Sequence, residues 1–436
     1  MKKNCTWLVA FLCLMLIGIT SACNDNKQSG DESAMVDGHD PVTITIVHEH
    51  SEEAASNIAS SAGFRAMLDK YIDEHPWVDV EETLVANTEI NQKYLTLMAA
   101  DELPDVTYVN YPLLKDMVEN GMLTDLTDYI DPNDYVDLFS MTYKGRIYGM
   151  PNKFSAYNLV YYNKQMFEDI GFDAFPSTME EFLEAGERFR AQDIDMIAFG
   201  NMGKWFAVSY LVSPLLYNHC GTEWVNSMLN STGEGSWTDP CFIDVMKDVA
   251  GLRNYINADC NMQNDMWAAG WYMQGKCAAH LAGTWGIGIL DKLGNDYPEV
   301  WENTRVALLP SSNGAEDTLC TAVGVGVGIS SKAEGAVFDA ALELCQQISS
   351  KDYAEILAGM ASPTPIIIDL DFSDRGVQYE KFADILNNTE HTGLNFNDYF
   401  PQNIVIIMQT VTQNILAGSM APEEASKAMQ SVQDTL

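Results

Sequence analysis

The residues best suited to chemistry in this chain stand out by their neighbours. In KCAAHLAGTWGIGIL, from Lys276 to Leu290, one indole, Trp285, sits among Gly283, Gly286 and Gly288, which offer it no side chains to pack on. A flat ring that its neighbours cannot enclose is suited to stacking on another flat surface, and the glycines let a bulky ligand approach the backbone. The competing reading is a Trp used only for packing on an inter-domain surface. In VHEH, residues His48, Glu49 and His50 end an apolar, β-branched run. Imidazoles at alternate positions of an extended chain face one side, which raises metal binding. Two ligands are too few to specify a site, and no second His/Asp/Glu cluster has matching spacing. A hydrogen-bonding pair, with at least one structural histidine, is the preferred reading, and no metal or other cofactor is expected.

The sequence contains no GxSxG, HExxH, GxxxxGK[ST] or CxxC pattern, so serine hydrolase, zinc protease, nucleotide hydrolysis and thioredoxin-like chemistry have no support. The glycines of AVGVGVGIS, at 324, 326 and 328, repeat every second residue. That period suits a strand passing close to another backbone rather than a dinucleotide fingerprint. With 62 acidic residues some carboxylate pair always exists, so abundance is no argument for a glycosidase. The chain is therefore not expected to be an enzyme, and a secreted hydrolase remains only a distant alternative. Against those 62 acidic residues stand 24 Lys and Arg, a net charge of −38. Such a chain repels phosphate backbones and anionic headgroups, which excludes nucleic acid as an expected partner and disfavours charge-driven membrane docking.

The elements that must position these residues alternate. Val42 to Val47 reads as a strand, SAGFRAMLDKYIDEHP as a helix, VDVEETLV as a strand, EINQKYLTLMAA as a helix, PDVTYVN as a strand and YPLLKDMVENG as a helix. The alternation predicts an α/β fold with a mainly parallel, doubly wound sheet, whose ligands sit beyond the carboxyl ends of the strands. Those ends are His48 to His50 and Tyr108 to Tyr111. A second unit follows GRIYGMPNK: AYNLVYYNK and IDMIAFG are strand-like, Ser177 and Glu180 have capping-box spacing, and Asp239 with Pro240 opens another helix. A chain of 436 residues exceeds what one core usually supports, so two domains are expected.

At the amino terminus, Lys2 and Lys3 precede an apolar run from Trp7 to Ile19 and then Thr20, Ser21, Ala22 and Cys23. This has the layout of an export signal over residues 1–22 and is short for a membrane span. ITSAC resembles a bacterial lipobox, with Thr20 where Leu is usual; the resemblance makes Cys23 the lipid attachment site. Residues 23–40 are polar and read as a flexible tether. Six cysteines then remain, Cys220, Cys241, Cys260, Cys277, Cys320 and Cys345, and six allow 15 disulfide pairings.

The order of segments resembles the extracellular solute-binding proteins of bacterial ABC importers, the group typified by maltose-binding protein. The segments that carry it are LPDVTYVN, GMLTDLTDYI, RIYGMPNKFSAYNLVYYNKQMFEDIGFDAFPSTMEEFLEAGERF, MQGKCAAHLAGTWGIGIL, and VALLPSSNG followed by AVGVGVGISSKAEGAVFDAALELCQQISSKD. The resemblance implies two doubly wound lobes joined by a multi-segment hinge of the type II periplasmic-binding-protein kind, with the lobes closing over a solute. It places crossings near Tyr148 to Asn152, Leu308 to Thr321 and Gly359 to Ile366. The first lobe then takes 41–149 and 322–358, and the second takes 150–321 and 359–436 with the hinge segments.

The same resemblance implies a monomeric, lipid-anchored receptor on the extracellular or periplasmic side of the cell membrane, delivering a sugar or oligosaccharide to importer permease subunits. It implies that Trp285 stacks on a pyranose ring; in an open cleft that indole would lie in water, so its removal would leave the empty protein's stability nearly unchanged. Further candidates for the ligand-binding surface are Trp205 after a strand and a Gly-containing loop, Tyr399 and Phe400 in NDYFPQN, Tyr108, Asn110 and Tyr111 at a first-lobe strand end, and Glu49 and His50. VHEH replaces the aromatic residues that carbohydrate binders commonly carry there, which favours the alternative of a non-sugar solute or a sensory receptor.

Overall fold

The computed structural model describes Met35 and residues 38–435, apart from 57, 313, 314, 316, 361, 369–371, 373 and 374. The expected export signal over 1–22, the expected lipid site at Cys23 and most of the expected tether lie outside the described residues. Among the described residues, no helix is long and apolar enough to cross a membrane.

Among the described residues twelve strands follow in chain order: β1 Val42–His48, β2 Val78–Leu84, β3 Val106–Asn110, β4 Thr142–Tyr143, β5 Arg146–Ile147, β6 Met150–Ala156, β7 Leu159–Asn163, β8 Ile197–Ala198, β9 Ala279–Ala282, β10 Thr304–Leu308, β11 Leu319–Ile329 and β12 Thr392–Leu394. One sheet runs β12-β11-β3-β1-β2, with β6 added along β11; a second runs β10-β7-β9-β8; β4 and β5 form a hairpin. The early alternation lands as expected: the helices Ala59–Glu74, Ile90–Ala100 and Tyr111–Glu119 separate β1, β2 and β3, and β1 pairs in parallel with both β2 and β3.

The sheets are mixed rather than mainly parallel. Strand β11 runs antiparallel to β3 and β6, and β7 runs antiparallel to β9 and β10. The reason is the route of the chain. Strand β11 returns through the first sheet between β3 and β6, opposite in direction to both, and β12 lies parallel to it at the edge. The close approach of β6 and β11 explains the period-two glycines. A Cβ on Gly326 would lie 2.4 Å from the Met150 carbonyl oxygen, and one on Gly328 would lie 2.5 Å from that of Tyr148. A side chain at either position would force the backbones apart.

Two sets of buried side chains flank this crossing. Ile44, Ile46, Phe64, Leu68, Val109 and Leu344 belong to the core around the first sheet. The second half is packed around Phe182, Phe189, Trp237, Val245 and Met408, with a neighbouring cluster at Tyr161, Tyr272 and Leu290. Cys220 and Cys241 are disulfide-bonded, while Cys260, Cys277, Cys320 and Cys345 are free and buried. The bond ties helix Ser213–Asn230 to helix Pro240–Leu252. Asp239 opens the latter as expected. The preceding capping site is displaced by one residue: Thr178 caps through its hydroxyl, which accepts from the Glu181 amide, while the Glu181 carboxylate accepts from the Ser177 amide and hydroxyl.

Candidate functional site

Strand β9 is buried at every position and ends on Ala282. The chain then turns through Gly283 into helix Gly286–Gly294, with Trp285 at the helix start. Gly283 is needed here, because a Cβ on it would lie 2.2 Å from the Trp285 ring. The half-buried indole lies against its own turn, and the glycine that seemed unable to pack on it makes the room.

Around it stands an aromatic wall. Trp285 meets Tyr157 at 5.8 Å between ring centroids, Trp205 at 5.8 Å and Tyr210 at 6.2 Å. Trp205 stacks on Phe206 at 3.8 Å and meets Tyr157 edge-on at 6.4 Å. The backbone of Trp205 is held by the Asn397 amide, which donates to its carbonyl at 2.9 Å. Two tryptophans 80 residues apart in sequence, Trp205 and Trp285, thus form one surface with Tyr157, which sits in the turn between β6 and β7.

Below the wall lies a charged floor. Lys153, on β6, pairs with Glu49 at 3.1 Å, and the Asn87 amide donates to the other Glu49 oxygen. Burial pushes the Glu49 carboxyl up, but Lys153 and its neighbours outweigh burial and hold it below the ordinary carboxylate range. Asp398 behaves oppositely. Burial raises its carboxyl above the usual range in spite of the Asn395 amide, the Tyr157 hydroxyl and the Lys153 charge. Burial, with the Asp398 charge, in turn pushes the Tyr157 hydroxyl well above its ordinary value. The floor therefore offers an ionised acceptor in Glu49, a second carboxyl in Asp398, a cation and a hydroxyl donor beside flat apolar faces, an arrangement fitted to bind a polyhydroxylated ring.

The remaining sequence candidates divide. Tyr108, beside Tyr94 at 5.4 Å, has its hydroxyl pushed up by burial and then by the Glu49 charge, which sets it beside the floor. Asn110 is occupied structurally, capping helix Tyr111–Glu119 through the Leu113 amide at 3.2 Å and donating to Asn91 at 2.8 Å. Tyr111 stacks on Phe139 at 5.1 Å and meets Tyr399 at 5.5 Å, so the first and last thirds of the chain touch there. Phe400 turns away from this surface into the core, stacked on Phe396 at 4.1 Å and facing Trp237 at 6.0 Å. One side of the Asp-Tyr-Phe turn faces the floor, and its last ring fills the core.

VHEH is likewise split by its alternation. His48 contacts Glu82 at 2.9 Å, and its Nδ1 accepts from the His50 amide at 3.1 Å. His50 bonds Ser61 at 3.0 Å and stacks on Phe64 at 4.2 Å. Burial, opposed by the Glu49 charge, lowers its pKa from 6.5 to about 3, so the ring is neutral at physiological pH. Only Glu49 reaches the floor. Among the described residues no group of three or more His, Cys, Asp or Glu could hold a metal ion. Lys153, Tyr157, Tyr210 and Asp398 carry no local signal in the sequence, though Asp398 adjoins Tyr399 and both Lys153 and Tyr157 lie in the long YGMP segment.

The chain matches the model of the bacterial extracellular solute-binding protein family over residues 55–341. It is 24% identical to an ABC transporter extracellular-binding protein of Pyrococcus horikoshii over 52% of this chain and 53% of the relative. It is also 24% identical to a binding protein of Brucella abortus over 40% of this chain and 42% of the relative. The chain thus spans about half the length of these curated relatives, or less. It superimposes on a chitin oligosaccharide binding protein with a TM-score of 0.82 at 23% identity, covering 91% of this chain and 98% of the other. T. maritima MalE3 with maltose bound gives a TM-score of 0.73 at 19% identity, covering 91% and 100%. These likenesses give the fold, the two-lobed α/β type II architecture of periplasmic binding proteins. With the family model covering well over half of its length, the chain belongs to the bacterial extracellular solute-binding proteins.

Proposed function

We propose that this protein captures a neutral sugar or oligosaccharide between its two lobes and delivers it to the permease subunits of an ABC importer, without catalysing a reaction on it. The observation that carries the reading is the aromatic wall of Trp205, Tyr157 and Trp285 standing over the floor of Lys153, Glu49 and Asp398. Aromatic faces take the C–H face of a pyranose while carboxylates and an ammonium take its hydroxyls. Solved proteins of the same fold include a chitin oligosaccharide binding protein and a maltose-bound protein. The histidines that favoured a non-sugar solute are engaged in hydrogen bonds within the first lobe, which removes the main argument for that alternative.

The lobes are taken as 41–149 with 322–358, and 150–321 with 359–436. Cys23 is taken as the lipid anchor, and the protein as a monomer held at the outer face of the cell membrane. Calorimetric titration with chitotriose, xylotriose and maltotriose tests the sugar reading. At least one should bind, raise the melting temperature by mass action and make the particle more compact in small-angle scattering. Failure of all three, together with stabilisation by a peptide or a metal ion, would overturn it. Cys23→Ser should release the protein or leave it unprocessed; a processed mutant still held at the membrane would refute the anchor.

A further inference from the structure

Behind the Trp285 face lies a buried carboxylate that the solute site as described does not use. Asp265 begins helix Asp265–Met273, and its Oδ2 accepts the Trp285 indole N–H at 3.0 Å. The start of that helix is fixed by close packing, since a Cβ on Gly200 would lie 2.2 Å from the Asn264 carbonyl oxygen. The second oxygen, Oδ1, is buried and has no hydrogen-bond partner among the described residues. It faces His280 Nε2 at 3.9 Å. His280 Nδ1 contacts the Ala198 carbonyl at 3.2 Å, and a carbonyl only accepts, so Nδ1 carries the proton and the neutral ring turns a lone pair toward Asp265.

Other titratable groups around the carboxylate are hydroxyls. Tyr161 donates to the Gly283 carbonyl at 3.0 Å, and the buried Tyr210 hydroxyl, like Asp265 Oδ1, has no hydrogen-bond partner among the described residues. No cation among the described residues pairs with Asp265 other than His280 if protonated. The carboxylate is compensated by the indole N–H and by the positive end of the helix it begins.

We infer that Asp265 is a positioning residue for solute recognition: its hydrogen bond to the indole nitrogen fixes the angle at which the Trp285 face meets the solute, and its ionisation sets how firmly that face is held. The inference rests on the reading of Trp285 as a sugar-stacking surface. The geometry supports it, because the contacts of Trp285 with Tyr157, Trp205 and Tyr210 are between apolar rings, which fix no single orientation, and the Asp265 bond is the directional polar contact on the indole. A bond to an ionised acceptor is stronger than one to a neutral acid. Burial raises the Asp265 carboxyl above its ordinary range, opposed by His280 and by the indole bond. Acidification thus reaches this group before ordinary surface aspartates.

The test compares Asp265→Asn and Asp265→Ala with the unmodified protein. The first readout needs no ligand: the indole ¹H–¹⁵N signal of Trp285, identified by its loss in Trp285→Phe. In Asp265→Ala, indole proton exchange should rise about tenfold or more, the scale of losing a hydrogen bond to a charged group. Asp265→Asn, which keeps an acceptor, should fall between. In the unmodified protein exchange should accelerate as pH falls through the carboxyl's pKa, and in Asp265→Asn it should lose that dependence. The second readout is titration with chitotriose, xylotriose and maltotriose, where Asp265→Ala should weaken binding about tenfold and Asp265→Asn should restore most of it. Unchanged indole exchange in a folded Asp265→Ala overturns the inference, as does faster exchange with unchanged affinity for a sugar that the unmodified protein binds. If the unmodified protein binds none of the three sugars, the sugar reading fails, and the indole signal still decides whether Asp265 holds the ring.

Discussion

Replacing Trp285 by Ala separates binding from packing. In the structure the indole is half-buried, touches the rings of Tyr157, Trp205 and Tyr210 and donates to Asp265. Loss of the stacking face should cost about 1.5–3 kcal/mol of affinity, the value of burying a large apolar side chain, or roughly 10- to 150-fold in Kd. The empty protein should suffer too. A fully enclosed Trp→Ala costs about 3–5 kcal/mol, and a half-buried ring forfeits roughly half of that. The Asp265 carboxylate left without its donor adds about 1–3 kcal/mol. The expected destabilisation is therefore about 3–5 kcal/mol, in place of the near-zero value expected for an indole standing in water. Trp285→Phe is the control, since it keeps an aromatic face and removes only the N–H. Its affinity should fall about tenfold, as in Asp265→Ala, because the same bond that orients the ring is lost, while its stability falls by about 1–3 kcal/mol. Titration calorimetry and urea unfolding on the same samples measure both quantities. Full sugar affinity in a folded Trp285→Ala would refute the stacking role, and unchanged stability of Trp285→Phe would refute the value given to the Asp265 bond.

Three further outcomes follow from buried features. His50 has a folded-state pKa of about 3 against an ordinary 6.5, so its neutral burial contributes stability above pH 6.5 that is lost as pH falls toward 3; at pH 4 the loss is about 3 kcal/mol, and His50→Gln should remove that part of the pH dependence in urea unfolding. The Cys220–Cys241 bond closes a segment with a sequence separation of 21, so the double Ser variant should lose about 3 kcal/mol, read as an equal loss on reduction of the unmodified protein. Gly326→Ala pushes a Cβ to 2.4 Å from the Met150 carbonyl oxygen and should cost about 3 kcal/mol or more by overpacking; a melting temperature within a degree of the unmodified protein would contradict the close approach of β6 and β11.

Local physics reached far into this chain. The β-branched run before His48, the 3.6-residue stripe of Phe64, Met67, Leu68, Tyr71 and Ile72, and the alternation that follows are properties of neighbouring residues, and the structure keeps them as β1, helix Ala59–Glu74 and the parallel pairing of β1 with β2 and β3, except that Ile72 lies exposed at the edge of the stripe. The period-two glycines announced a close backbone approach for the same reason: the absence of Cβ atoms is visible in the sequence even when the partner strand is not. What the sequence left open was every choice between distant partners. Which two of six cysteines bond, that Trp205 and Trp285 share a wall with Tyr157, that Lys153 reaches Glu49, and that Asp265 rather than solvent receives the indole N–H all depend on separations of 20 to 128 residues closed by the fold. Phe400 and His50 make the point in the other direction, since each stands beside a residue of the floor, Asp398 in one case and Glu49 in the other, and is turned into a core. A strand sends neighbouring side chains to opposite faces and a turn redirects the next ring, so adjacency in sequence places a residue near the site while only the packed backbone decides which way it points.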